Sequence, residues 1–243
     1  MTPTRFPGSL ALAALLALPA RAALAGVMPT PMMPLDIGTQ WEYASVSGVH
    51  EIETITGTRV VLGRTVFVKS FSSGPDNGIE NWWQTGPAGE VLLAGFDRHD
   101  GFTLGYDPPI TLCGGTPTLG DLWPTHIIMY DMATMNVVGE YDFTFGALED
   151  VSLTVPAGTF HCYGVGQVVP VTAKAILGAR GLTLDGRRAA TGPGAAASSA
   201  TDWFSSGVGA VQTVSSDLFQ LVSFSRPTPT LTSSWGRLKQ LYR

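Results

Sequence analysis

The segment Glu149–Val165 constrains the fold most, because it combines two strand patterns with a tight corner between them. Aliphatic and polar residues alternate over Val151–Val155, which is the period-two pattern of a half-buried strand. Pro156 has no amide hydrogen to give a strand ladder, and Gly158 can adopt a positive φ. A second strand-like run follows directly. The segment therefore predicts an antiparallel strand pair, with Pro156 and Gly158 as structural turn residues.

Short runs of this kind recur along the chain, separated by turn-forming glycines and prolines. We count roughly ten to twelve short strands and hardly any helical pattern beyond the N-terminal segment. This pattern predicts an all-β fold in which a single curved antiparallel sheet forms an open or incomplete barrel. The concave face of such a sheet must be covered. The aromatic residues expected to serve there as ligand-binding residues are Trp82, Trp83, Phe96, Phe143, Phe145 and Trp203.

The Trp82-Trp83 pair lies within a strand-like run. Adjacent strand residues face opposite sides of a sheet, so we expect one tryptophan to be buried and the other to point outward. Core and edge packing explains such a pair without any function. An outward tryptophan could equally contact a lipid or another partner, since exposed large aromatics often mark binding surfaces.

The first 25 residues have the pattern of a targeting segment. Arg5 precedes an apolar run too short to span a bilayer, and Ala23-Leu24-Ala25 is a small-x-small cleavage site. A membrane anchor or a buried helix is the alternative. We expect a signal peptide over 1–25, a mature chain beginning near Gly26 and no transmembrane anchor after cleavage, which implies a periplasmic, cell-surface or extracellular protein.

The remaining chain is expected to form one half-barrel domain over residues 26–225. Residues 178–200 are rich in glycine and alanine and have no apolar period, so they predict a flexible loop between two strands. Residues 226–243 begin with a Pro/Thr spacer and end in a short basic tail. The tail is either a docking segment or a frayed terminus. Gly207 and Gly209 are expected to be turn residues before the last strands.

Charge and cysteine content restrict the possible partners and the redox setting. Removing residues 1–25 removes Arg5 and Arg21 and no acid, so the net charge changes from −5 to −7. This acidity argues against nucleic acid binding. An exported chain with two cysteines, Cys113 and Cys162, is a candidate for one disulfide, which would close a loop of about 50 residues and stabilise the fold by ~4 kcal/mol. Two separate buried thiols are the alternative.

Three segments together resemble a family of exported bacterial proteins of unknown function, the DUF3108-like group. These segments are Pro34–Tyr43, Val155–Phe160 and Trp203–Val211, and the resemblance covers about residues 34–225. The family usually has Ala-Pro before its Gly-Val-Gly, where this chain has Ser205-Ser206. The group is similar in architecture to the lipoprotein-localisation factors. The resemblance implies a half-barrel that can hold an apolar ligand, and it supplies no catalytic residues.

Catalytic motifs are not evident. The chain has no Gly-x-Ser-x-Gly elbow, no phosphate loop and no Cys-x-x-Cys, and His50-Glu51 lacks the second histidine of a zinc-binding helix. Asp97–Asp100 could ligate a cation but is more typical of a solvated loop. We therefore expect no catalytic residues, no metal and no cofactor. The leading hypothesis is a non-enzymatic exported protein that binds an apolar or lipid-like ligand or an envelope partner. The alternatives are a structural envelope protein with a self-filled core and a hydrolase with a dispersed site.

Overall fold

The computed structural model describes residues 30–168, 201–214 and 217–228. Within these ranges the chain forms twelve β-strands and no helix, and so no helix there is long and apolar enough to cross a membrane. The signal peptide predicted at 1–25, the loop predicted at 178–200 and the tail from residue 229 onward lie outside the described residues. The strands are β1 Gln40–Ser45, β2 His50–Val61, β3 Arg64–Phe71, β4 Glu80–Thr85, β5 Val91–Asp97, β6 Thr103–Cys113, β7 Leu122–Asp131, β8 Asn136–Val155, β9 Gly158–Gln167, β10 Asp202–Ser205, β11 Gly209–Val214 and β12 Leu218–Ser225.

All neighbouring strands are antiparallel and follow one another in chain order, which confirms the predicted all-β antiparallel sheet. The sheet closes, whereas the sequence predicted an open or incomplete barrel. Closure occurs because β1 pairs with β2 on one side and with β12 on the other, from Gln40↔Ser225 to Ser45↔Phe219. Pairing on both sides removes the two exposed edges that an open sheet would present.

The corner that dominated the sequence pattern joins β8 and β9, which pair from Phe145↔Gln167 to Val155↔Gly158. Pro156 and Ala157 form the turn, and Val155 faces Gly158, whose φ is 141°. A similar corner links β10 to β11, where Gly207 and Gly209 have φ of 75° and 94°. Glycine suits both corners because a Cβ is strained in this part of φ/ψ space.

The barrel interior is filled by side chains of the barrel itself. Aromatic and aliphatic residues from nearly every strand form one continuous buried cluster. The largest of its almost fully buried members are Trp41, Tyr43, Tyr106, Phe96 and Phe219. The segment before β1, residues 30–39, is called the lead-in. It joins this cluster through Met32, Met33 and Leu35.

The lead-in covers one end of the barrel. Met32 donates its amide hydrogen to the carbonyl of Gly89 at 3.2 Å, and Gly209 donates to the carbonyl of Met32 at 3.1 Å. Gly89 lies in the β4–β5 connection and Gly209 is the first residue of β11. Alternation of strand direction places both at the same end of the barrel. The lead-in is therefore part of the core.

A second, smaller buried cluster lies on the outer face. It contains Val61, Val66, Val68, Trp82 and Ala94, with Leu62 and Met132 packed against it. Trp83 enters the interior cluster instead, so the two tryptophans do face opposite sides. Both are nevertheless buried, at 0% and 4% exposure, so the outward tryptophan is not an exposed contact surface. The outward ring of Trp82 is covered by this outer cluster and by the Arg59 guanidinium, 4.5 Å from the ring centroid.

Candidate functional site

The aromatic residues predicted to bind a ligand are mostly core residues. Trp82, Trp83, Phe96 and Phe143 are at most 4% exposed, and Phe145 is 8% exposed. Trp203 is half-buried, and its indole Nε1 donates a hydrogen bond to Glu149 Oε2 at 2.8 Å. A ligand could reach the interior rings only by displacing packed side chains.

Two of the surface depressions among the described residues have volumes of about 440 and 450 Å³. The second is the more apolar and lies beside the lead-in. Its walls are Pro31, Pro34, Leu35, Ile37, Phe67 and Thr85, with Asp36 and Arg226 at the same site. Arg226 Nε donates to Asp36 Oδ2 at 3.1 Å, so the guanidinium already has a carboxylate partner.

An ion pair is buried inside the barrel. Lys69 Nζ lies 2.7 Å from Glu53 Oε2, and the two side chains are only 7% and 3% exposed. The ammonium also lies 4.8 Å from the centroid of the Trp83 ring and 5.3 Å from that of Phe71, so it is held between two aromatic faces. Taking two charges out of water is costly, and the pair is tolerated because each ion compensates the other.

Sequence reasoning missed this buried pair, because charged residues in a strand are usually expected to face solvent. A usable signal was present. Glu51, Glu53 and Ile55 share one face of β2 by the period-two rule, and Ile55 is an obvious core residue. All three are at most 2% exposed in the structure.

Each of the four histidines lies near a carboxylate. His126 Nδ1 and Asp142 Oδ1 are 2.8 Å apart, and His161 Nε2 and Asp150 Oδ1 are 2.7 Å apart. His50 lies 3.5 Å from Glu42. Among the described residues, no serine or cysteine hydrogen-bonds to a histidine, so no nucleophile–base pair can be assigned there. The prediction of a non-enzymatic protein stays a prediction.

His99 lies within the predicted Asp97–Asp100 loop and belongs to a group with Glu80 and Asp97. Their possible ligand atoms lie within 4.8 Å of one another. The Arg59 guanidinium lies 3.4 Å from Glu80 Oε2 and 3.9 Å from Asp97 Oδ2, so it already neutralises part of this charge. A cation would have to compete with that guanidinium for the two carboxylates.

The predicted Cys113–Cys162 disulfide is absent, and both thiols are free and buried. The cysteines lie on β6 and β9, which are separated in the sheet by β7 and β8. A disulfide needs its two Cα atoms within about 7 Å, a distance that strand neighbours meet readily and distant strands do not. Burial raises the pKa of Cys113 to about 12 and that of Cys162 to about 11, so neither thiol is activated as a nucleophile.

Comparisons with known proteins give few relationships. No family model matches the chain, so the DUF3108-like resemblance is not confirmed, and no curated protein matches it. Two solved structures are similar in part. A candidate lipoprotein from Parabacteroides distasonis has 14% identity and a TM-score of 0.39, covering 81% of this chain and 99% of its own. A candidate exported protein with a YmcC-like fold from Bacteroides fragilis has 11% identity and a TM-score of 0.38, covering 80% and 98%.

Proposed function

We propose that this chain is an exported, non-enzymatic protein that acts through its outer surface on a partner in the cell envelope. The observation that carries the proposal is the packing of the interior. Five of the six aromatics expected to bind a ligand are at most 8% exposed, and the lead-in closes one barrel end with buried Met32 and Met33. A barrel filled in this way leaves its surface as the place for recognition.

A group of exposed valines supports a contact surface at the opposite end. Val46 and Val49, in and next to the β1–β2 turn, are 77% and 38% exposed, and Val214 at the end of β11 is 39% exposed. The Val46 amide donates to the Leu218 carbonyl at 3.3 Å, which holds this turn against the start of β12. Neighbouring exposed aliphatic side chains are typical of surfaces that bind other proteins.

A second candidate function is binding of a lipid-like molecule at the depression beside the lead-in. The apolar walls at Pro34, Leu35, Ile37 and Phe67 would contact the chain of such a ligand. The Arg226 guanidinium would face an acidic head group after leaving Asp36. This site lies on the surface, whereas most of the aromatic residues that the sequence predicted to bind a ligand lie in the core.

Native mass spectrometry of the protein purified from its own host tests export and ligand binding together. We expect one mass, without adduct, for a chain that begins near Gly26. A co-purifying lipid whose amount falls in an Ile37→Asp variant would favour the second candidate. A mass that retains residues 1–25 would contradict cleavage of the predicted signal peptide.

Site-specific photo-crosslinking in the host tests the partner surface. A photoreactive residue at position 46 should form a crosslink to an envelope protein, and a Val214→Lys change should abolish it. The matched control places the same reagent at Val60, which is 70% exposed on β2 away from this end. Equal crosslinking at both positions would contradict a specific surface.

A further inference from the structure

We propose that ordered water occupies a polar site inside the barrel, beside Asn81 and Trp83 on β4. Asn81 is completely buried, and neither its Nδ2 nor its Oδ1 has a hydrogen-bond partner among the described residues. The indole Nε1 of Trp83 is buried and also lacks a partner there. Buried polar atoms in folded proteins are nearly always hydrogen-bonded, to protein or to ordered water.

The register of the sheet brings these groups to one place. Asn81 lies directly opposite Lys69 in the β3–β4 pairing, and Phe67 lies opposite Trp83. Asn81 and Trp83 are two residues apart and therefore point to the same interior face. The Lys69 ammonium lies 4.8 Å from the Trp83 ring. An amide, an indole N–H and an ammonium are thus neighbours on one wall of the barrel.

The chemistry of these groups selects the ligand. The Asn81 Nδ2, Trp83 Nε1 and Lys69 Nζ groups donate hydrogen bonds, whereas Asn81 Oδ1 accepts them. Lys69 already faces the Glu53 carboxylate at 2.7 Å, so this pair does not require a charged ligand. Water both donates and accepts, is neutral, and makes two to four hydrogen bonds when it is buried in proteins.

Water–protein NOE and ROE spectroscopy of the ¹⁵N-labelled protein tests the site directly. We expect cross-peaks of the sign that marks long-lived water at the Asn81 side-chain amide and at the Trp83 indole N–H. The indole resonance is assigned with a Trp83→Phe variant. Absence of both cross-peaks would overturn the proposal.

An Asn81→Leu variant gives a second, independent readout. If ordered water is bonded to the Asn81 amide, leucine removes those hydrogen bonds. The folding equilibrium constant should then fall by about tenfold. The Trp83 indole cross-peak should weaken in the same variant. Gln84→Leu is the matched control, because Gln84 lies on the same strand with its Nε2 bonded to the Thr65 carbonyl at 2.9 Å. This control should retain the cross-peak.

A more stable Asn81→Leu protein would overturn the proposal, because removing an amide that truly lacks partners should stabilise the fold. If this variant does not fold, the wild-type cross-peaks decide.

Discussion

At the scale of single residues, the least expected feature is a lysine inside the barrel. Lys69 and Glu53 lie 2.7 Å apart and are almost inaccessible. Lys69→Met removes the ammonium that compensates the buried carboxylate, so we expect a loss of about 3–5 kcal/mol in the free energy of unfolding. Denaturant titration measures this loss.

The matched control for Lys69→Met is the double variant Lys69→Met/Glu53→Gln, which removes both charges and keeps the approximate shape of both side chains. It should regain most of the lost stability, because replacing a whole buried pair is often nearly neutral. If the free energy of unfolding of Lys69→Met lies within about 1 kcal/mol of the wild-type value, the charge pair does not contribute as proposed.

The free thiols give a pH prediction at the same scale. Burial raises the pKa of Cys113 to about 12 and that of Cys162 to about 11, from an ordinary value of 9.0. Above pH 9 the unfolded chain loses its thiol protons while the folded chain keeps them. The thiol contribution to stability is therefore fully present below pH 9 and is lost as the pH rises toward 11 to 12.

Denaturation midpoints between pH 8 and 11 measure this effect. Lysines and tyrosines also titrate there, so the wild-type slope must be compared with that of a Cys113→Ala/Cys162→Ala variant. The variant should have the shallower slope, whatever its absolute stability. Equal slopes would contradict the buried, protonated state of the thiols. A separate test is alkylation of the denatured protein without a reductant, in which we expect both thiols to be modified.

At the scale of elements, β5 depends on a glycine. Gly95 has φ of 145°, and a Cβ there would lie 2.1 Å from the Leu104 carbonyl oxygen and 2.9 Å from Trp82. The β4–β5 and β5–β6 registers both shift next to it. Gly95→Ala must displace backbone or the Trp82 ring, so we expect a loss of at least about 2 kcal/mol by denaturant titration.

Gly57→Ala on β2 is the matched control for Gly95→Ala. Gly57 also lies at a register shift, but a Cβ there would meet nothing within 4 Å. The stability of the Gly57→Ala variant should be unchanged or slightly raised, because alanine reduces the conformational freedom of the unfolded chain. Similar losses in the two variants would mean that crowding around Gly95 is not the cause.

At the scale of the whole molecule, the closed barrel predicts an exchange pattern. β1 is paired on both sides, with β2 over Gln40–Ala44 and with β12 over Gln40–Ser45, so its amides should exchange slowly in hydrogen–deuterium exchange mass spectrometry. In β12 the same holds for Phe219 and Gln220, which pair with both β1 and β11. The second half of β6 is an internal reference for a strand that lacks a partner on one side, because β7 pairs only with Leu104–Asp107 of β6. An open sheet would instead make alternate β1 amides exchange fast.

The sequence by itself determined the strands and their class. Alternation and turn residues are local, so the antiparallel sheet and the corner at Pro156 and Gly158 could be predicted from neighbouring residues alone. The opposite facing of Trp82 and Trp83 was predictable for the same reason, since it follows from the strand period.

Tertiary structure decided what those strands enclose. Closure depends on β1 meeting β12, strands from opposite ends of the chain, and no local pattern encodes that pairing. The free thiols follow from strand order, and the burial of Lys69 and of both tryptophans follows from groups distant in sequence that cover them. Side-chain chemistry fixes which contacts are favourable, but only the assembled barrel brings their partners within reach.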